Sequence, residues 1–119
     1  MPAYSFKERF VSDVKAGIKT QTIRTKRKHQ IKAGDPVYLY YGMRTKFCTK
    51  IGEGICTGVA DILIANSGIL IEGVGFAQGE DLESIAKSDG FENWETMKRW
   101  WKKINGLPFK GEIIFWKLA

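Results

Sequence analysis

The sequence predicts an α+β fold: one amphipathic helix, several short strands, two further helices and a last strand, with strands enough to close a small barrel. Three observations support it. Residues 6–16, 79–90 and 94–105 repeat apolar side chains at intervals of three and four, the period of a helix with one buried stripe. Residues 36–76 and 111–118 are rich in Val, Ile, Tyr and Phe, and glycines break them into short strands and turns. With 119 residues, 44% of them hydrophobic, and four tryptophans, the chain matches one domain around one core.

The elements follow in order. Ser5 and Glu8 make a capping-box pattern, so the first helix is expected over residues 6–16. Phe6, Phe10 and Val14 share its buried face, and Gly17 is its left-handed stop. "KTQTIR", residues 19–24, then alternates like a strand yet carries polar groups on both faces. A basic loop follows, and Gly34 with Asp35 turns the chain into the strand "PVYLYYG". "MRTK" reads as a hairpin tip. "FCTKIGEGI" and "CTGVADILIAN" read as two further strands with glycine bulges, and "ILIEGVGF" as a strand pairing back after the turn "NSG". The helix "GEDLESIAKSDGF" has carboxylates in its first turns and Gly90 at its end. Asn93 is the expected cap of the third helix, where Trp94, Met97, Trp101 and Ile104 share a face. One of Trp100 and Trp101 must leave that stripe. "GEIIFWKL" is the last strand.

Composition excludes several classes of protein. No stretch approaches the roughly 20 apolar residues of a membrane helix, and "MPAYSFKERF" lacks the apolar centre of a signal peptide. A soluble, cytoplasmic monomer without membrane association is expected. Cys48, Cys56 and His29 are too few, and wrongly spaced, for a disulfide framework or a zinc set, so no metal and no cofactor is expected. There is no GxxxxGK[ST] or GxGxxG string, which argues against nucleotide-triphosphatase and dinucleotide chemistry. A single histidine argues against a Ser–His–Asp hydrolase.

The charge is unevenly placed. Residues 1–50 hold twelve Lys and Arg against three Asp and Glu, whereas residues 51–119 hold seven against ten. A basic first half points to a polyanionic partner. Arg24, Lys26, Arg27, Lys28, Arg44 and Lys46 are residue types that neutralise phosphates, and Tyr40 among them offers a face for an unpaired base. RNA or single-stranded nucleic acid is therefore the expected partner. A second reading rests on Lys19 and Thr22. A desolvated lysine beside a threonine can act as base to a hydroxyl nucleophile. Residues 14–34 contain no acid, so a carboxylate that compensates Lys19 must come from elsewhere in the chain.

Taken in order, "FVSDVKAGIKTQTIR", "KAGDPVYLYYGMRTKFC" and "AKSDGFENWETMKRWW" resemble the ASCH domain family, whose fold is similar to PUA-type RNA-binding barrels. The most specific piece is the string met here by Gly17, Lys19, Thr20, Thr22 and Arg24. The resemblance implies a small PUA-like mixed β-barrel with an N-terminal helix and two short helices before the last strand. In such a fold the polar strand lines a cleft, and Lys26 to Lys28 extend its positive rim. Two activities are implied. Many members are regarded as modules that bind RNA or single-stranded nucleic acid. Some compact bacterial members are amidohydrolases that deacylate an acetylated cytidine-type nucleoside with a lysine, a threonine and a glutamate. Lys19 and Thr22 match two of these three. The third falls near Asp89, with Glu92 as its rival, and an aspartate there departs from the family pattern. The expected geometry places Lys19, Thr22 and Arg24 on one positively charged cleft with Asp89 at its wall.

Overall fold

A computed structural model describes residues 3–28 and 30–119; the single histidine, His29, lies outside the described residues. The described residues form one mixed sheet of seven strands with three helices, an α+β architecture. The order is β1 (Ala3–Phe6), α1 (Glu8–Lys15), β2 (Gln21–Arg24), β3 (Pro36–Tyr41), β4 (Thr49–Ala65), β5 (Gly68–Ile71), β6 (Gly75–Ala77), α2 (Gly79–Ser88), α3 (Trp94–Ile104) and β7 (Phe109–Leu118).

The first helix starts later than its periodicity suggests. "AYSF" buries Tyr4 and Phe6 on alternate positions and pairs in parallel with β3, from Ala3 opposite Tyr38 to Phe6 opposite Tyr41. Lys7 becomes the N-cap, with no side-chain capping bond, so the Ser5–Glu8 box does not form. Ser5 belongs to the strand instead, and its Oγ accepts from the Met43 amide at 3.4 Å. A ladder that also buries two aromatic rings outweighs one cap. Gly17 does end the helix in the left-handed region, at φ 76°.

β4 is the spine of the sheet. It pairs with β3 through residues 49–55, with β5 through residues 62–65 and with β7 through residues 54–64. Where the sequence suggests two strands there is one of 17 residues. Gly58 sits at a register shift against β7 after Cys56, and Gly52 at a second shift against β3. Conversely, "ILIEGVGF" splits into β5 and β6 because Val74 N turns back to Ile71 O at 3.0 Å.

The sheet does not close into a barrel. β1, β2 and β6 are its edge strands, and among the described residues β1 and β2 share no ladder. Side chains bridge the seam: Arg24 Nη2 donates to Ser5 O and Arg27 Nη2 to Ala3 O, each at 2.7 Å. The guanidiniums also lie on the rings beneath them, Arg27 at 4.2 Å from the Tyr4 centroid and Arg24 at 5.1 Å from that of Phe6. The free carbonyls of β1 are thus satisfied by charged donors rather than by backbone amides.

α3 buries Trp94, Met97 and Trp101 as its pattern suggests. Ile104, expected on the same face, is 50% exposed because the helix ends there. Two side chains fix the start of α3. Asn93 Oδ1 accepts from Thr96 N at 2.9 Å, and Glu83 Oε1 of α2 accepts from Trp94 N at 2.6 Å. Among the described residues no helix is long and apolar enough to cross a membrane. Asn93→Ala should cost about 1 kcal/mol of stability, read as a lower urea midpoint with an unchanged slope.

Candidate active site

The site is built where three elements meet. After Gly17, the amides of Ile18 and Lys19 both donate to Asp13 O, at 2.9 and 3.0 Å, which fixes Lys19 just ahead of β2. Thr20 O accepts from Trp116 N at 3.0 Å and ties this approach to β7. Lys19 is then aimed inward and is only 3% exposed. Its ammonium donates to the backbone carbonyl of Asp89 and, at 3.1 Å, to Asp89 Oδ1. Asp89 is the C-cap of α2 and is 4% exposed. Gly90 follows at φ 94°, and a Cβ there would stand 2.9 Å from Phe10 Cδ1 and 3.3 Å from Lys19 Cδ. The "SDG" turn thus needs its glycine twice, for the backbone angle and for the close approach of the Phe10 ring, with Lys19 just behind it.

Gln21 completes the support. Its Nε2 donates to Asp89 Oδ1 at 3.3 Å and to Ile85 O at 3.4 Å, so one amide holds the carboxylate against the last turn of α2. Sequence reasoning gave Gln21 no role. The signal was its place in a polar strand, which did not say which polar side chains turn inward. On the same face of β2, Arg24 Nε donates to Thr22 Oγ1 at 2.8 Å. The Thr22 hydroxyl is held by Arg24 rather than by Lys19.

Lys19, Thr22, Arg24 and Asp89 all line one pocket of about 290 Å³. Aromatic side chains make the rest of its wall. Trp101 stacks on Phe109 at 4.4 Å, while Phe91 and Trp100 meet edge to face at 5.5 Å. Trp101 is buried and Trp100 only partly so, which settles which of the pair leaves the main stripe. A small pocket with apolar walls and a few convergent polar groups has the form of a ligand site.

Burial dominates the electrostatics. It pushes the Lys19 ammonium below the ordinary lysine range, against the opposing pull of Asp89. It pushes the Asp89 carboxyl above the ordinary range, against Lys19, Gln21 and Arg24. Both shifts favour the neutral amine and the neutral acid, the same proton moved from one partner to the other. Arg24 is lowered to about 10 by burial and by the nearby charge of Arg27, so it stays cationic at neutral pH.

The remaining sequence candidates lie elsewhere. Glu92 is exposed and does not line the pocket, so Asp89 is the carboxylate that meets Lys19. Lys26 forms an ion pair with Asp61 at 3.0 Å, and Arg27 is committed to the seam. Neither extends the pocket as a free positive rim. Lys28 is exposed in the loop after β2, and Arg44 and Lys46 in the connection between β3 and β4. Tyr40 is half-buried on β3 opposite Lys50. Both cysteines are free thiols, Cys48 exposed and Cys56 buried. Among the described residues no three His, Cys, Asp or Glu side chains gather as a metal site. Comparison with protein-family models, with curated proteins and with solved structures finds no match to this chain.

Removing one partner of a buried ion pair strands the other. Asp89→Ala should therefore cost roughly 3–5 kcal/mol, and Lys19→Met combined with Asp89→Leu should recover most of it. Urea denaturation of the two variants measures the difference.

Proposed function

We propose that the protein is an amidohydrolase acting on a small N-acylated nucleobase or nucleoside, with Thr22 as nucleophile and Lys19 as general base. The observation that supports it most is the buried Lys19–Asp89 pair on the wall of an aromatic-lined pocket that Thr22 also lines. Buried, shifted acid–base pairs in a pocket are characteristic of sites that move protons. The aromatic wall suits a planar ring, and about 290 Å³ lies near the lower end of the volumes that ligand pockets enclose.

In the proposed reaction, Asp89 holds the proton that Lys19 gives up, which leaves a free amine. That amine takes the Thr22 proton as the Thr22 oxygen attacks the amide carbon. Arg24, already a donor to Thr22 Oγ1, faces the negative charge that develops on the former carbonyl oxygen. Lys19 then returns the proton to the departing nitrogen, the C–N bond breaks, and Thr22 carries the acyl group as an ester. Water, deprotonated by Lys19, attacks that ester, releases the carboxylic acid and restores the hydroxyl.

Two variants test the roles. Thr22→Ala removes the nucleophile, and Lys19→Arg keeps a cation that does not lose its proton at neutral pH. Each should lower kcat for acetylated cytidine by at least a hundredfold. In the native protein the rate should rise with pH as the doubly protonated Lys19–Asp89 pair loses one of its two protons, because only the free amine is a base. Since burial lowers the Lys19 pKa, that rise should fall below the usual lysine titration near 10.5. Unchanged turnover in both variants would rule the assignment out.

A second reading is binding of RNA or single-stranded nucleic acid, favoured by the charge placement. The first 50 residues carry twelve Lys and Arg against three acids, and Lys28, Arg44 and Lys46 are exposed. It predicts affinity for short oligonucleotides that falls steeply between about 50 and 200 mM salt, with Lys28→Ala and Arg44→Ala weakening all sequences alike. Fluorescence anisotropy measures this, and no binding at low salt would eliminate it.

A further inference from the structure

Gln21 acts on the site from behind the pocket. Side chains alternate along β2, so Thr22 turns toward the pocket and Gln21 toward α2. Gln21 is 4% exposed and is not among the residues that line the pocket. Its amide has one way to sit. Ile85 O is a carbonyl and only accepts, so the group 3.4 Å from it is the amide nitrogen. That nitrogen turns its second N–H to Asp89 Oδ1 at 3.3 Å. Lys19 donates to the same oxygen at 3.1 Å. Ile85 O does not depend on Gln21, because it also accepts from the Asp89 amide at 3.0 Å.

A donor to a carboxylate favours its ionised form. Burial acts the other way, toward the neutral amine and the neutral acid. The charged groups around the pair divide. Arg24, on β2, favours the carboxylate but opposes the ammonium, and Asp13, on α1, favours the ammonium. The rings of Phe10 and Phe6, at 4.9 and 5.9 Å from Lys19 Nζ, also favour the ammonium. Glu112, on β7 opposite Arg24, is 1% exposed, and neither of its carboxylate oxygens has a partner among the described residues; its charge bears on Tyr4. Gln21 differs from all of these. It is a neutral donor aimed at the carboxylate itself, fixed in orientation by the end of α2.

We infer that Gln21 is a positioning residue of the proposed reaction: its bond to Asp89 Oδ1 keeps the carboxylate ionised and the shared proton on Lys19 in the resting site, so that the free amine forms only as that proton crosses to Asp89. The inference deepens the amidohydrolase reading and rests on its choice of Lys19 as base.

The carbon-13 shift of the Asp89 carboxyl, followed by NMR against pH, reads this ionisation and needs no substrate. In Gln21→Met, similar in size but without the donor, the midpoint should rise by about one pH unit, as expected for the loss of one hydrogen bond to a charged group. Gln21→Leu should shift it equally, although its different shape changes the urea midpoint by a different amount. With acetylated cytidine as substrate, the rise of kcat with pH should move up by the same interval. KM should change by less than about twofold, because Gln21 acts through Asp89 and does not line the pocket. The inference is overturned if the carboxyl of either variant titrates as in the native protein, or if the shift simply follows the loss of stability, which would make Gln21 a packing residue. A change in KM with no movement of the kcat profile would overturn it as well. If the native protein does not turn over acetylated cytidine, the amidohydrolase reading falls, and the carboxyl titration alone decides whether Gln21 governs the pair.

Discussion

A lysine and an aspartate 70 residues apart share this interior because neither could occupy it alone. An isolated ammonium or carboxylate out of water is too costly to keep charged, and a pair is tolerated only when its geometry and its remaining hydrogen bonds are good. Much of the local architecture can be read as meeting that condition. The end of α1 fixes the backbone of Lys19, the C-cap of α2 presents both the side chain and the carbonyl of Asp89, and Gln21 holds the carboxylate from the neighbouring strand. Gly90 lets the chain leave α2 without obstructing Phe10 and the lysine. The pair therefore couples the start of β2 to the helical layer, and it does so at the wall of the pocket.

Arg24 is shared between structure and site. It bridges the seam between β1 and β2 through Ser5 O, and through its Nε it orients Thr22. A guanidinium offers five donors in a fixed plane, so one side chain serves both. The arrangement has a consequence across β7, where Glu112 loses the cross-strand partner that its register provides. The bridged seam, the oriented hydroxyl and the orphaned carboxylate thus trace back to one residue.

The basic first half is less available to a polyanion than its composition suggests. Lys19 and Arg24 are committed inside, Lys26 to Asp61 and Arg27 to β1. Exposed ion pairs such as Lys26–Asp61 contribute little stability, yet they reduce the positive field that a phosphate chain would meet. The pocket of about 290 Å³, rather than the exposed basic loops, is the feature best supplied with converging polar groups.

The sequence by itself determined the elements whose causes are local. Periods of three and four gave α2 and α3, Gly17 and Gly90 gave the helix ends at positive φ, and Asn93 gave its cap. It also singled out Lys19, Thr22 and Arg24 as a polar strand whose lysine demands a distant carboxylate, and the family resemblance pointed to Asp89, with Glu92 as its rival, for that carboxylate. Tertiary structure decided the rest. Four residues of "AYSF" became strand because β3 offered a ladder, and two glycine-broken segments fused into β4 because β7 runs beside both. Closure of the barrel failed at a seam that only side chains cross. Gln21, the choice of Asp89 over Glu92 and the isolation of Glu112 all depend on which face a residue turns inward and what stands opposite. Those are properties of pairing between distant segments, and no local pattern encodes them.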